Sequence, residues 1–255
     1  SLLKPMDEAR PWLRSYPEGV PAEIDPAQYA SLKELLERSF REHAALTAFS
    51  NFGAELTYAE VDRLSRQFAA YLQSGTALKS GDRVAIMMPN LLQYPVVLFG
   101  ILRAGMVVVN VNPLYTAREL EHQLSDSGAR AIVVLENFAH TVQRALPASV
   151  VDKVIVTEIG DQLPFLKRVI TNFVVRYIKR LVPSWRIDAA ECYRKVLSEG
   201  EDLTYNDVEV GPEDIAFLQY TGGTTGVAKG VVLSHRNMVS NVLQAAAWAR
   251  PFIAG

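Results

Sequence analysis

The sequence predicts an α/β fold in which a largely parallel sheet is flanked by helices. Residues 84–88 and 131–135 are apolar without alternation, which is typical of strands that helices cover on both faces. Segments with apolar residues at helical spacing separate such runs. Strand and helix alternate regularly along the chain, and this order favours parallel strands joined by crossover helices.

The N-terminal part is expected to differ from the rest. Five of the 13 prolines lie within residues 1–30. Because proline restricts its own backbone and that of the preceding residue, this segment is predicted to be an extended arm rather than a packed element. Ser31 is a candidate N-cap, and Glu34 completes a capping box with it. The helix that follows is expected to end near His43.

Two short strands, 46–52 and 56–58, are predicted next, with Gly53 at the turn between them. Thr57 and Glu60 form a second capping box at the start of another helix, and Thr116 with Glu119 is expected to cap a later one. The later elements follow from the alternation described above, in this order: strand 84–88, helix 91–103, strand 106–111, helix 116–126, strand 131–135, helix 137–146 and strand 154–156.

The composition limits the classes of protein and of partner. The 255 residues suffice for one large domain or two small ones, and a net charge of −2 gives no basic field for nucleic acid. Cys192 is the only cysteine, which excludes an internal disulfide and fits a reducing cytosol; we expect it to be partly buried. Pro95 and Arg103 interrupt the most apolar region, 94–111, so no membrane-spanning helix is expected.

Residues 220–230 carry the strongest functional signal. They hold four glycines, three threonines and one lysine, between the apolar runs 215–218 and 231–233, so we expect a strand, a glycine-rich turn and a second strand. Glycine allows close backbone approach to a ligand, and successive N–H groups can form an anion nest. A simple hairpin turn needs only one Asn-Gly-like pair. The pattern therefore predicts a polyphosphate-binding loop.

This loop is not the common phosphate loop of nucleotide hydrolases and kinases. That motif has lysine directly after glycine and a helix afterwards, whereas two residues separate Gly226 from Lys229 here. The run resembles the signature Tyr-Thr-Ser-Gly-Thr-Thr-Gly-x-Pro-Lys-Gly of the adenylate-forming enzymes. It departs in having Gly222 and Gly223 where serine and glycine are usual, and Ala228 where proline is usual. Neither change removes a backbone donor.

The resemblance extends from about Tyr16 to the C-terminus. Residues 81–90 are similar to the Gly-Asp-Arg-Val-Ala…Asn block of acyl-CoA synthetases, and residues 105–113 resemble their Gly-Ala…Asn-Pro junction. Residues 110–124 most resemble the proteobacterial long-chain-fatty-acid–CoA ligases. The polar residues of these blocks are expected to serve turns and caps.

The resemblance implies an activity in two half-reactions. A fatty carboxylate attacks the α-phosphate of Mg-ATP to give acyl-adenylate and pyrophosphate, and CoA then displaces AMP. ATP, Mg²⁺ and CoA are thus the expected cofactor and co-substrates. No catalytic residue and no metal ligand is assigned within this chain. The ATP phosphates are expected to bind Thr221, Gly222, Gly223, Thr224, Thr225, Gly226 and Lys229.

Members of the resembled family are much longer than this chain. Their segments for adenine, magnesium and ribose, and the small C-terminal domain with the catalytic lysine, have no counterpart in the sequence. Residues 31–255 are therefore expected to be an incomplete N-terminal adenylating domain. His235 lies next to Ser234, a candidate cap for a helix over 237–248. With no acidic partner evident, His235 is expected to be structural.

Residues 165–181 raise a second possibility, contact with a membrane. Apolar residues recur there at helical spacing and no residue is acidic, a pattern that suits anionic lipid or, equally, a helix packed on the domain. The basic residues of this segment are Lys167, Arg168, Arg176, Lys179 and Arg180.

Several alternatives stay open. They are a medium-chain or aryl-acid CoA ligase, a fragment that acts only in folding or self-association, and an ordinary phosphate-loop enzyme, although the Gly226–Lys229 spacing argues against the last. Because the resembled enzymes can dimerise through N-terminal segments, a homodimer is a further alternative. The expected location is the cytoplasm, with or without peripheral contact with the membrane.

Overall fold

A computed structural model describes residues 10–221 and 228–253. Its strands are β1 Thr47–Asn51, β2 Ala54–Thr57, β3 Arg83–Met87, β4 Val107–Asn110, β5 Ala131–Leu135, β6 Lys153–Thr157, β7 Ala190–Cys192, β8 Ile215–Thr221 and β9 Lys229–Ser234. Its α-helices are α1 Leu32–Glu42, α2 Tyr58–Ser74, α3 Gln93–Arg103, α4 Ala117–Ser127, α5 Ala139–Ala145, α6 Phe165–Phe173, α7 Tyr193–Asp202 and α8 His235–Ile253.

Within the described residues, seven strands form one sheet in the order β7-β6-β5-β3-β4-β8-β9. Every neighbouring pair is parallel except β8 and β9. The predicted fold class, an α/β fold with a largely parallel sheet between helices, is confirmed. Strands β1 and β2 form a separate antiparallel hairpin.

Apolar side chains bury both faces of the large sheet. On one face, α1, α2, α3 and α7 contribute to a cluster that includes Phe68, Leu72 and Ile101. On the other, α4 and α5 pack through Leu120 and Val142. Because both faces are covered, the strands need apolar residues at successive positions, which explains the runs without alternation.

The helix starts follow the predicted caps. Thr57 with Glu60 and Thr116 with Glu119 form complete capping boxes. Ser31 accepts from the Glu34 amide as expected, but the Glu34 carboxylate accepts from the Ala30 amide. This differs by one residue from the reciprocal bond of a capping box.

Three parts of the molecule differ from expectation. Strand β7 and helix α7 were not predicted from the sequence. The predicted helix 165–181 is α6 followed by a π-helical turn, Val174–Ile178. Cys192 is exposed rather than partly buried, because it is the last residue of the edge strand β7.

The described part of the proline-rich arm lies at the surface. No residue of 10–30 is buried, and two short 3₁₀ turns interrupt the segment. The Tyr16 ring meets the Trp248 ring edge-on, with centroids 5.0 Å apart. The arm therefore contacts α8 of its own chain.

Candidate functional site

The glycine-rich run joins β8 to β9. These strands pair antiparallel, and Thr221 is the Cα partner of Lys229. Both residues are exposed. The other predicted phosphate-binding residues lie outside the described residues: Gly222, Gly223, Thr224, Thr225 and Gly226. A strand, not a helix, follows the run, which distinguishes this arrangement from the common phosphate loop.

The predicted phosphate-binding run begins at the carboxyl edge of the sheet. Strand β8 runs parallel to β4, so Thr221 and Asn110 end neighbouring strands at the same edge. Ligands of open α/β sheets bind outside this edge. The Asn110 amide donates to Gln219 Oε1 at 3.1 Å, and its Oδ1 accepts from the Tyr94 hydroxyl at 2.9 Å. These polar side chains, which the sequence analysis did not single out, border the edge beside β8.

Tyr220, the first residue of the signature, holds the strand before the loop in place. Its hydroxyl donates to Asp126 Oδ2 at 2.5 Å. Burial raises the pKa of Tyr220, and its hydrogen bond to the Asp126 carboxylate raises it further, so the phenol stays protonated and donates. A Cβ on Gly230 would lie 3.0 Å from the Tyr220 ring. Glycine at 230 therefore allows β9 to pass close to this ring.

His235 has a structural contact, as the sequence suggests. Its Nδ1 accepts from the Leu32 amide at 3.2 Å, and the residue is 2% exposed. Burial lowers the pKa of His235 to about 4, so the imidazole is neutral near pH 7 and can accept this bond. Ser234 accepts from the Asn237 amide at the start of α8. His235 thus joins α8 to the first turn of α1.

A second surface carries the predicted membrane-contact residues. Helix α6 has no buried residue. Eight large apolar side chains of α6 and the segment after it are 49–70% exposed: Phe165, Leu166, Val169, Ile170, Phe173, Tyr177, Ile178 and Leu181. We call this set the apolar face of α6. Phe52, at the tip of the β1–β2 hairpin, is 61% exposed, and Lys167 donates to the neighbouring Gly53 carbonyl at 3.0 Å.

The five basic residues of this segment have different surroundings. Arg176 pairs with the buried carboxylate of Glu136, and with Glu158 at 3.0 Å. The Arg168 guanidinium lies 5.1 Å from the Phe165 ring centroid. Lys179 and Arg180 are exposed and form no ion pair within the described residues. Arg176 therefore has an internal partner, whereas Lys179 and Arg180 face solvent.

The signature hairpin and the sheet behind it fall within a match to one protein family. The model of that family, described as AMP-binding enzyme, matches residues 36–253 of this chain. The chain belongs to the AMP-binding enzyme family. This result agrees with the resemblance drawn from the signature residues and from the blocks at 81–90 and 105–113.

Relatives in this AMP-binding family are similar along most of the chain. Proteins named long-chain-fatty-acid–CoA ligase are 56% identical in Escherichia coli O6:H1, 57% in Salmonella typhimurium and 35% in Bacillus subtilis, each over 95% of this chain. The chain spans 43% of the length of each of these relatives.

Solved structures of AMP-binding enzymes share the fold. A long-chain-fatty-acid-CoA ligase from Archaeoglobus fulgidus matches with a TM-score of 0.69 and 26% identity, over 91% of this chain and 42% of that one. A benzoate CoA ligase from Burkholderia xenovorans matches with a TM-score of 0.65 over 87% of this chain and 37% of that one. At 23% identity the second match supports the fold alone.

The described residues contain no group of three His, Cys, Asp or Glu side chains that could hold a metal ion. None of the described helices combines the length and apolar character needed to cross a bilayer.

Proposed function

We propose that the full-length protein is an ATP-dependent long-chain-fatty-acid–CoA ligase. The glycine-rich hairpin at the carboxyl edge of the sheet carries this proposal, because Thr221 and Lys229 frame a run with the composition of a polyphosphate site. Relatives of that name, more than half identical over nearly the whole chain, support the choice of substrate.

The proposed reaction has two steps. An oxygen of the fatty carboxylate attacks the α-phosphorus of ATP, and the bond to the pyrophosphate oxygen breaks. The CoA thiol gives up its proton to solvent, and its sulfur attacks the acyl carbon. The bond from that carbon to the phosphate oxygen breaks, and AMP leaves with its electron pair. Charge develops on pyrophosphate in the first step, and preorganised donors stabilise such charge.

The chain's own contribution is proposed to be phosphate binding. The backbone N–H groups and threonine hydroxyls of residues 221–226 donate to the β- and γ-phosphates, and Lys229 adds a mobile positive charge. Mg²⁺ enters the proposal only as the ion that accompanies ATP. Residues 31–255 form part of the adenylating domain in this proposal, and residues 1–30 are its arm.

Oleate-dependent AMP formation from Mg-ATP and CoA tests the proposal, with this chain assayed beside the full-length protein. Activity in the full-length protein alone is expected. No AMP with any long-chain fatty acid, but activity with medium-chain or aromatic acids, would favour the alternative ligase. No activity with any acid would contradict the ligase proposal and leave a role in folding or self-association.

We further propose that a cytoplasmic form of the protein binds anionic membrane through the apolar face of α6. Two observations support this choice of partner. The face exposes eight large apolar side chains, and the segment 165–181 has five basic residues and no acidic one. Amphipathic helices with these properties lie in the interface of anionic bilayers. A fatty acid that partitions into lipid would then be taken up where the enzyme sits.

Co-sedimentation with vesicles tests the membrane proposal. Full-length protein should sediment with phosphatidylcholine vesicles that contain phosphatidylglycerol, and Lys179→Glu with Arg180→Glu should weaken this. Arg41→Glu with Arg144→Glu, a matched charge reversal at two exposed sites elsewhere, should not. Equal sedimentation of all three proteins would remove the proposal. A change of oligomeric state in the first variant, measured by light scattering, would instead assign the face to a second copy.

A further inference from the structure

Helix α4 contacts the signature hairpin on both sides of the glycine-rich run. Before the run, Asp126 accepts the hydroxyl hydrogen of Tyr220. After it, His122 Nε2 lies 3.3 Å from the Ala228 carbonyl oxygen. His122 and Asp126 are four residues apart, so they lie on one face of the helix. One helical turn therefore spans the entry and the exit of the run.

Both contacts have a defined direction. The Ala228 carbonyl can only accept, so the His122 imidazole must donate through Nε2. The Tyr220 phenol stays protonated because burial raises its pKa, so it donates to the Asp126 carboxylate. A hydrogen bond to an ionised acceptor is stronger than one between neutral groups. The two contacts thus hold the entry and the exit of the run to one face of α4.

Helix α4 is itself firmly held. A capping box at Thr116 fixes its start, and Gly128, with φ of 62°, ends it in the left-handed conformation. Leu120 and Leu124 are fully buried, and the Gln123 side chain donates to the Asn110 carbonyl at 2.7 Å. The helix therefore joins the end of β4 to the hairpin after β8.

We propose that His122 and Asp126 are positioning residues of the phosphate-binding run, because they hold Tyr220 and Ala228, which flank it, against α4. The inference rests on the proposed function of that run. Neither residue is proposed to touch the nucleotide. Donors that are preorganised cost no rearrangement when charge develops on the phosphates, and a site built on supported elements keeps its geometry better than a free loop.

Kinetics of the full-length protein test this proposal. His122→Ala and Asp126→Ala should each raise the KM for ATP about threefold to tenfold, the range of one lost hydrogen bond, with the KM for oleate unchanged. His122→Gln and Asp126→Asn, which retain a donor and an acceptor, should recover most of the loss. Glu121→Ala, an exposed neighbour on α4, is the matched control and should behave as wild type.

Two further measurements separate positioning from general damage. In a double-mutant cycle, Asp126→Ala should add little to Tyr220→Phe, because both remove the same bond. Trypsin cleavage after Lys229, followed by mass spectrometry, should be faster in His122→Ala than in Glu121→Ala, since the exit of the run is released. This cleavage requires no enzymatic activity.

The outcomes distinguish the two proposals. A KM for ATP that matches wild type in both alanine variants, with unchanged cleavage at Lys229, would overturn the positioning role while leaving the ligase proposal intact. Equal rises in the KM for ATP and for oleate would also overturn it, since they indicate general damage. Faster cleavage at Lys229 in a protein that forms no AMP would support the α4 contacts and reject the ligase function.

Discussion

Thr221 and Lys229 are Cα partners across the β8–β9 hairpin, so the glycine-rich run begins and ends at one registered pair. Strand β8 is anchored in the sheet beside β4, and this places the pair at the carboxyl edge. The pair fixes the two ends of the run relative to each other, at the edge where ligands of open α/β sheets bind. The hairpin therefore suits a phosphate site.

The threonines of the run should contribute directly to the first half-reaction. In the full-length protein, Thr224→Ala should slow pyrophosphate release about 10²–10³-fold, because it removes one donor to the developing charge. The matched control is Thr204→Ala, an exposed threonine in the segment before β8. Pyrophosphate release at the wild-type rate would remove Thr224 from the site.

Gly200 should be required for the packing of α7 on α2. A Cβ at this position would overlap the Gln67 carbonyl oxygen, so the two helices would have to separate. Gly200→Ala should cost about 2 kcal/mol or more, a fall in Tm of about 4–8 °C for a domain of this size. Gly211→Ala, whose Cβ would have its nearest neighbour at 3.7 Å, is the control. Equal Tm values for the two variants would contradict this packing.

His235 should make stability depend on pH. Burial lowers its pKa to about 4 from the ordinary 6.5, so the unfolded chain binds the proton first as pH falls. The stability that the neutral, buried imidazole allows is fully present above pH 6.5, and it is lost as pH falls from there towards 4. Between pH 7 and pH 5 this loss should be about 2 kcal/mol.

Urea unfolding at these two pH values measures the effect. His235→Asn, which retains an acceptor for the Leu32 amide, should lose this part of the pH dependence. His43→Asn, at an exposed histidine, should keep it. If His235→Asn shows the same difference between pH 7 and pH 5 as wild type, the imidazole does not titrate as its burial requires.

Arg176 should matter for stability more than for lipid binding. Glu136 is 0% exposed, and Arg176→Ala would leave its carboxylate without this partner, at a cost of about 1–3 kcal/mol in unfolding free energy. Burial already raises the pKa of Glu136, so the deficit should shrink as pH falls and the carboxyl takes up a proton. Lys179→Ala should have the opposite profile, with normal stability and weaker vesicle binding. A stable Arg176→Ala variant would show that the ion pair contributes little.

The sequence by itself determined the local features of this protein. Thr57 and Thr116 predict helix starts because a cap is a contact between residues three apart. The apolar runs predict buried strands, and the composition of 220–230 predicts a phosphate site, before any contact is known. Each signal is carried by neighbours in the chain, so no tertiary information is needed.

Only the tertiary structure decided the long-range contacts. Arg103 interrupts an apolar run in the sequence, yet it is 2% exposed and pairs with Asp62. His235 bonds to Leu32, which is 203 positions away, and α4 meets the hairpin of β8 and β9 through His122 and Asp126. Sequence spacing cannot give these pairs, because they depend on how the sheet orders its strands and on which face each helix covers.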